Sequence, residues 1–330
     1  MEELAARQPT ELHVRSMVSP AVLAHYLCLP HRLYNVAIDA AVIEADIFRI
    51  DIKKTAGACR DFLNRRQSLI ESEAQWLREA HIDVVVFDVP PLAAAIAQRV
   101  GIPSVGISNF TWDYIYTDYL GTHRVFAQSV QQARADQAHA TCFIQLPLGH
   151  PMEDRFTRVV PVPLVARRTE CDRAAIRSEL GLHDDAPALL VALRGAPTDL
   201  IIDGCKVQVL AFGDATGPGV RRIPAKWEQR FREVLVAADV VLSKPGYGIC
   251  SECIANQKPL LHLPRHGFNE AEWLIRGMDG AVAHAMISPE QLADAAALHE
   301  QCAALTTRPS RPAADLSGAR RAAALISGAA

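Results

Sequence analysis

Residues 82–108, IDVVVFDVPPLAAAIAQRVGIPSVGIS, hold the pattern that decides the fold. The run IDVVVFD at 82–88 is apolar through its middle and stops at Asp88 before Pro90 and Pro91, which predicts an interior strand of a parallel sheet covered on both faces. PLAAAIAQRV then predicts a helix stopped by Gly101, and SVGIS at 104–108 predicts the next strand. Strand, crossover helix and strand make a βαβ unit, so the chain is of the α/β class.

Upstream, DFLNRRQSLIESEAQWLREA at 61–80 places apolar residues close to a 3.6-residue repeat and predicts a helix with one buried face. Before it, MEELAARQ predicts a short helix, and ELHVRSM at 11–17 and DIFRIDI at 46–52 predict short strands. Downstream, the 147–168 stretch has prolines at 147, 151, 161 and 163 and no helical pattern, which marks a connector. A second α/β series follows: DRAAIRSELGL as a helix closed by Gly181, PALLVALRG and CKVQVLAFGD as strands, WEQRFREVLVAA as a helix, then strands in ADVVLS and KPLLHLP. Two domains are expected, 1–165 and 166–330, the second ending in the Ala-rich helix of ADLSGARRAAALISG.

Composition excludes several classes. The 330 residues contain 34 Lys+Arg against 37 Asp+Glu, a net charge of -3, and no basic stripe, so neither a nucleic acid nor an anionic membrane is an expected partner. No apolar run approaches the roughly 20 residues of a membrane span, and the acidic start MEEL does not resemble a secretory leader. The 8 irregularly spaced cysteines read as reduced thiols, which with the foregoing points to the cytoplasm.

The sharpest local signal is ADVVLSKPGYGICSECIAN at 238–256. Gly246 and Gly248 make a turn between a strand and a helix, Lys244 precedes them, and Ser251 and Glu252 lie on the helix's first turns. Unpaired amides at a helix start beside close glycine backbone suit a diphosphate, and Glu252 suits ribose hydroxyls. The other reading is a strand-to-helix turn that binds nothing, with Glu252 simply facing the helix dipole. The motif is neither GxGxxG nor a P-loop. Cys250 and Cys253 on the same helix have no second CxxC beside them and read as core packing.

LPRHGFNEAEWL at 263–274 puts Arg265, His266, Asn269, Glu270 and Glu272 after the next strand, at the same sheet edge as the glycine turn, where open α/β sheets hold ligands. In the first half, Asp88 at a strand end is a candidate acid or base, with capping of the following helix as the alternative. Asp83 is disfavoured because it starts that strand. Phe110, Trp112, Tyr114 and Tyr116 alternate, as a stacking wall or as a packed strand would. His25 and His31 read as structural.

VVFDVPPLAAAIAQRVGIPSVGISNFTWDYIYTDY, PVPLVARR with RSELGL, and VLSKPGYGICSECIAN followed by LPRHGFNEAEWL resemble the glycosyltransferase-like domain that precedes the kinase domain of plant L-arabinokinases, within the wider UDP-glycosyltransferase and MurG-like group. The resemblance covers about residues 1–325 and is loose through 195–235; no sugar-kinase domain is expected within these 330 residues. It implies two Rossmann-like domains facing a cleft, the GT-B arrangement. The second would bind a nucleotide sugar, UDP-linked ones included, with Lys244, Gly246, Tyr247, Gly248, Ser251 and Arg265 around the diphosphate. Glu252 would sit on the ribose, and Asn269 and Glu270 near the donor sugar. Asp88, Asn109, Trp112 and Asp113 would face an acceptor hydroxyl, with Asp88 the nominated base. No metal or other cofactor is implied, since no DxD motif is suitably placed and helix dipoles can neutralise the departing diphosphate.

Relatives of this kind open with a strand and a Gly/His-rich loop, whereas this sequence starts in the helix that follows. The expectation is a first sheet without its central strand and slow or absent sugar transfer, leaving a nucleotide-sugar-binding or regulatory module, or an inactive homologue, as the alternative. The second glycine-rich turn of such relatives reads here Leu193, Arg194, Gly195, Ala196, Pro197, with one glycine and a bulky arginine.

Overall fold

The computed structural model describes residues 1–199, 206–309 and 311–329, with side chains described at all of these except 21, 25, 194–199, 213 and 214. The expected turn at Leu193–Pro197 is instead part of the strand Ala188–Asp199, with a register shift between Leu193 and Thr198; the side chains of Arg194–Pro197 and of His25 lie outside the described residues.

Short apolar runs become parallel strands in three sheets. Leu12–Arg15 (β1) pairs with His31–Tyr34 (β2). Val85–Phe87 (β3), Ser104–Ser108 (β4), Cys142–Gln145 (β5) and Val159–Pro161 (β6) form a second sheet in that order. Ala188–Asp199 (β7), Gln208–Thr216 (β8), Val220–Arg222 (β9), Val240–Ser243 (β10), Leu260–His262 (β11) and His284–Met286 (β12) form the third, ordered β12-β11-β10-β7-β8-β9. The chain leaves one sheet and enters the other through the proline-rich stretch, and among the described residues no strand ladder joins the two sheets.

The third sheet shows why alternate residues matter. Leu190, Leu210 and Val241 join one buried cluster, while Leu189, Val191, Val209, Val240 and Leu242 join another on the opposite face. Both faces are covered, as a buried parallel sheet requires. The first half divides differently. No pairing joins β1-β2 to β3-β6 among the described residues, so β3 is an edge and not the interior strand that 82–88 predicts.

Local chemistry corrects two further expectations. DIFRIDI forms no strand, because the Asp46 carboxylate accepts the Phe48 and Arg49 amides at 2.8 and 2.9 Å and closes a turn. Asp51 then caps the helix Ile52–Glu79, accepting from the Lys54 amide, so this helix starts well ahead of residue 61. The alternating aromatics at 110–116 are likewise helical, since Trp112–Thr117 is a helix burying Trp112, Ile115 and Tyr116.

The halves are tied together at several points. Ile47, from the Asp46 turn, is buried in the same cluster as Leu189 and Leu261. Phe268 joins the aromatic cluster of Trp112, Tyr116, Tyr119 and Phe126, and Trp273 donates its indole N–H to the Tyr114 hydroxyl at 2.7 Å. The last helix, Gly318–Ser327, packs Ala322, Ala323 and Ile326 in one cluster with Val105, Ile144 and Val162 of the first half, against which Tyr247 of the second half also packs. No helix among the described residues is long and apolar enough to cross a membrane.

Candidate functional site

β10 ends at Ser243, whose hydroxyl donates to the Ala192 carbonyl at 2.8 Å and so ties the strand end to β7. Lys244 and Pro245 turn the chain, and Gly246 is the N-cap of the helix Tyr247–Ala255 without a side-chain cap bond. A helix start leaves its first amides without intrahelical acceptors. Here that start forms the wall of a cavity of about 530 Å³, lined among others by Lys244, Gly246, Tyr247, Gly248, Ser251, Glu252 and Arg265. A Cβ placed on Gly246 or on Gly248 would meet nothing within 4 Å, so open space lies directly over the backbone. The bare turn thus offers the close approach that an anionic group needs.

Cations and carboxylates surround this space. Arg265 donates to the Pro245 carbonyl at 3.1 Å, and its guanidinium lies 3.8 Å over the Phe268 ring. Its Nε is buried without a hydrogen-bond partner. Glu252 sits one turn into the helix. Burial pushes its carboxyl above 4.5, opposed by the nearby Arg232 and Arg167 and by an Asn256 hydrogen bond. Ser251 is buried and donates to the Gly248 carbonyl at 3.0 Å, holding the first turn closed. The Tyr247 phenol accepts the Val165 amide at 3.2 Å and is pushed up to about 12, first by burial. Cys250 and Cys253 are free and fully buried, consistent with packing.

Glu270 does not line the cavity. It is buried at the seam between the halves, where it accepts the Asn109 side-chain amide at 2.9 Å and lies 3.6 Å from Arg265. The Tyr247 amide also bonds to it, and burial raises its carboxyl above 4.5. Asn269 is the N-cap of the helix Glu270–Met278 and bonds with Asp118. Asp88 follows β3 with its side chain open to solvent yet ringed by protein. This partial loss of water raises it above 3.8 against a Ser108 hydrogen bond, and its charge acts on both Tyr247 and Glu270.

Trp112 and Asp113 stand apart from the cavity. The Trp112 indole donates to Asp39 at 2.9 Å within the aromatic cluster. Asp113 is fully buried and receives Arg134 and Arg155, each at 3.0 Å. Burial alone would raise its carboxyl, but Thr111, Arg155, Arg134 and Gln137 together hold it below 3.8. Both residues therefore have complete structural partners.

Sequence reasoning missed the remaining wall. Tyr26 lines the cavity from the first half, and Phe212, Phe231 and Arg232 line it as well. Glu44, also from the first half, lies 2.5 Å from the Lys244 ammonium and 3.3 Å from Arg265. No group of three or more His, Cys, Asp or Glu side chains that could hold a metal ion stands among the described residues.

No protein-family model matches the chain. It is similar to L-arabinokinase of Arabidopsis thaliana, 29% identical over 251 residues that make up 74% of this chain and 24% of that protein. The chain thus spans about a quarter of that relative's length. It is also similar to the UDP-N-acetylglucosamine--N-acetylmuramyl-(pentapeptide) pyrophosphoryl-undecaprenol N-acetylglucosamine transferase of Clavibacter michiganensis, 33% identical over 158 residues, 40% of this chain and 43% of that one. The crystal structure of Arabidopsis thaliana UGT89C1 complexed with UDP matches 98% of this chain and 89% of its own at a TM-score of 0.59 and 12% identity. The architecture is therefore a two-domain α/β arrangement resembling the GT-B fold.

Proposed function

We propose that the chain binds a nucleotide sugar in the 530 Å³ cavity and transfers the sugar to an acceptor hydroxyl. The observation that supports this most is the open space over Gly246 and Gly248 at a helix start flanked by Lys244 and Arg265. The diphosphate would lie on that turn, where amides, helix dipole and the two cations would stabilise the charge that develops as the anomeric bond breaks. Glu252, farther along the same helix, would accept the ribose hydroxyls. Asp88, with a carboxyl of raised pKa, would take the acceptor's proton. The UDP held by UGT89C1 makes a uridine nucleotide the first donor to try.

That Asp88 does not itself line the cavity favours a second reading, a nucleotide-sugar-binding module without turnover. Calorimetry with UDP-sugars, followed by donor-hydrolysis and acceptor-screen assays, separates these. Binding with turnover supports the transferase, binding with none supports the module, and no binding by well-folded protein removes both.

A further inference from the structure

We infer that Glu44 is a built-in counter-anion that engages the cations of the proposed diphosphate site and lowers the affinity of that site for phosphate groups. This rests on the donor-site reading above. Lys244 and Arg265 both line the cavity, and both are engaged by one carboxylate, Lys244 at 2.5 Å through Oε2 and Arg265 at 3.3 Å through Oε1. The carboxylate comes from the opposite half of the molecule, 200 and 221 residues away in sequence.

The contact is held in place by its surroundings. Glu44 forms an antiparallel bridge with Ile50, and the turn between them is closed by the Ala45 amide donating to the Arg49 carbonyl at 2.8 Å. The turn docks on the second half, where the His266 amide donates to the Phe48 carbonyl at 3.1 Å and Ile47 is buried in the core beside Leu189. A side chain whose turn is anchored in this way does not leave its partners without cost. A diphosphate brings negative charge to the same two cations, so it must displace Glu44 or lie beside a like charge. Either way the carboxylate opposes binding of the phosphates and leaves the nucleoside end of the ligand untouched.

The test is calorimetric titration of the intact chain and its Glu44→Gln variant with UDP, inorganic pyrophosphate and uridine. The variant is expected to bind UDP and pyrophosphate roughly tenfold tighter, with uridine unchanged. Glu44→Ala guards against a packing effect of the amide and should shift affinity in the same direction. Equal or weaker UDP binding by folded variants, with the unaltered chain binding well, overturns the counter-anion role and leaves the donor site standing. Failure of all forms to bind UDP and pyrophosphate removes the donor site and the inference together.

Discussion

The Asn109 side-chain amide donates a 2.9 Å hydrogen bond to the buried carboxylate of Glu270, joining the end of β4 to the helix after β11. Through the Tyr247 amide the same carboxylate reaches the glycine turn, so the seam between the halves and the start of the cavity helix share one acceptor.

Glu270 also sets a pH dependence. Burial, the largest influence, raises its carboxyl above 4.5, so the folded chain holds that proton more tightly than the unfolded one. The resulting stability is fully present below 4.5 and is lost as pH rises through the raised value. Thermal melts of the intact chain and of Glu270→Gln across the acid-to-neutral range should show a downward slope with rising pH in the former that is reduced in the variant. Parallel curves would show that Glu270 is not linked to folding.

Asp113 should matter for stability rather than for ligand. Asp113→Ala leaves Arg155, a side chain only 9% exposed, with Asp154 as its remaining ion-pair partner, and is expected to cost about 1–3 kcal/mol of unfolding free energy. Denaturant melts measure this, and UDP affinity measured under folding conditions should not change. A stable variant with lost acceptor turnover would return Asp113 to the site.

Glu252→Gln should separate ribose from phosphate. Losing a hydrogen bond to a charged acceptor, about 1.5–3 kcal/mol, predicts UDP binding weaker by roughly ten- to a hundredfold with pyrophosphate unaffected. Equal losses for both ligands would mean that Glu252 acts through the electrostatics of the helix start and not through the ribose.

Asp88→Asn should leave donor affinity alone and lower transfer by about 10²–10⁴-fold if the carboxylate takes the acceptor's proton. Steady-state kcat beside a calorimetric Kd reads the two separately. Unchanged kcat would assign the proton transfer elsewhere.

The legible parts of this molecule were those with local causes. The KPGYG turn, the helix carrying Ser251 and Glu252, and Arg265 after the next strand follow from neighbouring residues, and all of them converge on one cavity. Glu44 was not legible because its meaning lies in partners 200 or more residues away. The start of the helix Ile52–Glu79 was hidden because Lys53, Lys54 and Gly57 break the apolar repeat, while the cap that begins it, Asp51, is a single side chain. The aromatics at 110–116 alternate like a strand, yet Trp112, Ile115 and Tyr116 bury one face of a helix, a case of packing overriding pattern.

The central claim is that a nucleotide's diphosphate lies directly on the Gly246–Gly248 backbone. Because a Cβ at Gly248 meets nothing within 4 Å, Gly248→Val should fold normally while its branched side chain fills the space the phosphate needs. The account predicts a calorimetric UDP affinity more than tenfold weaker than that of the unaltered chain, about 1.4 kcal/mol. Equal UDP affinity in the folded variant would contradict it.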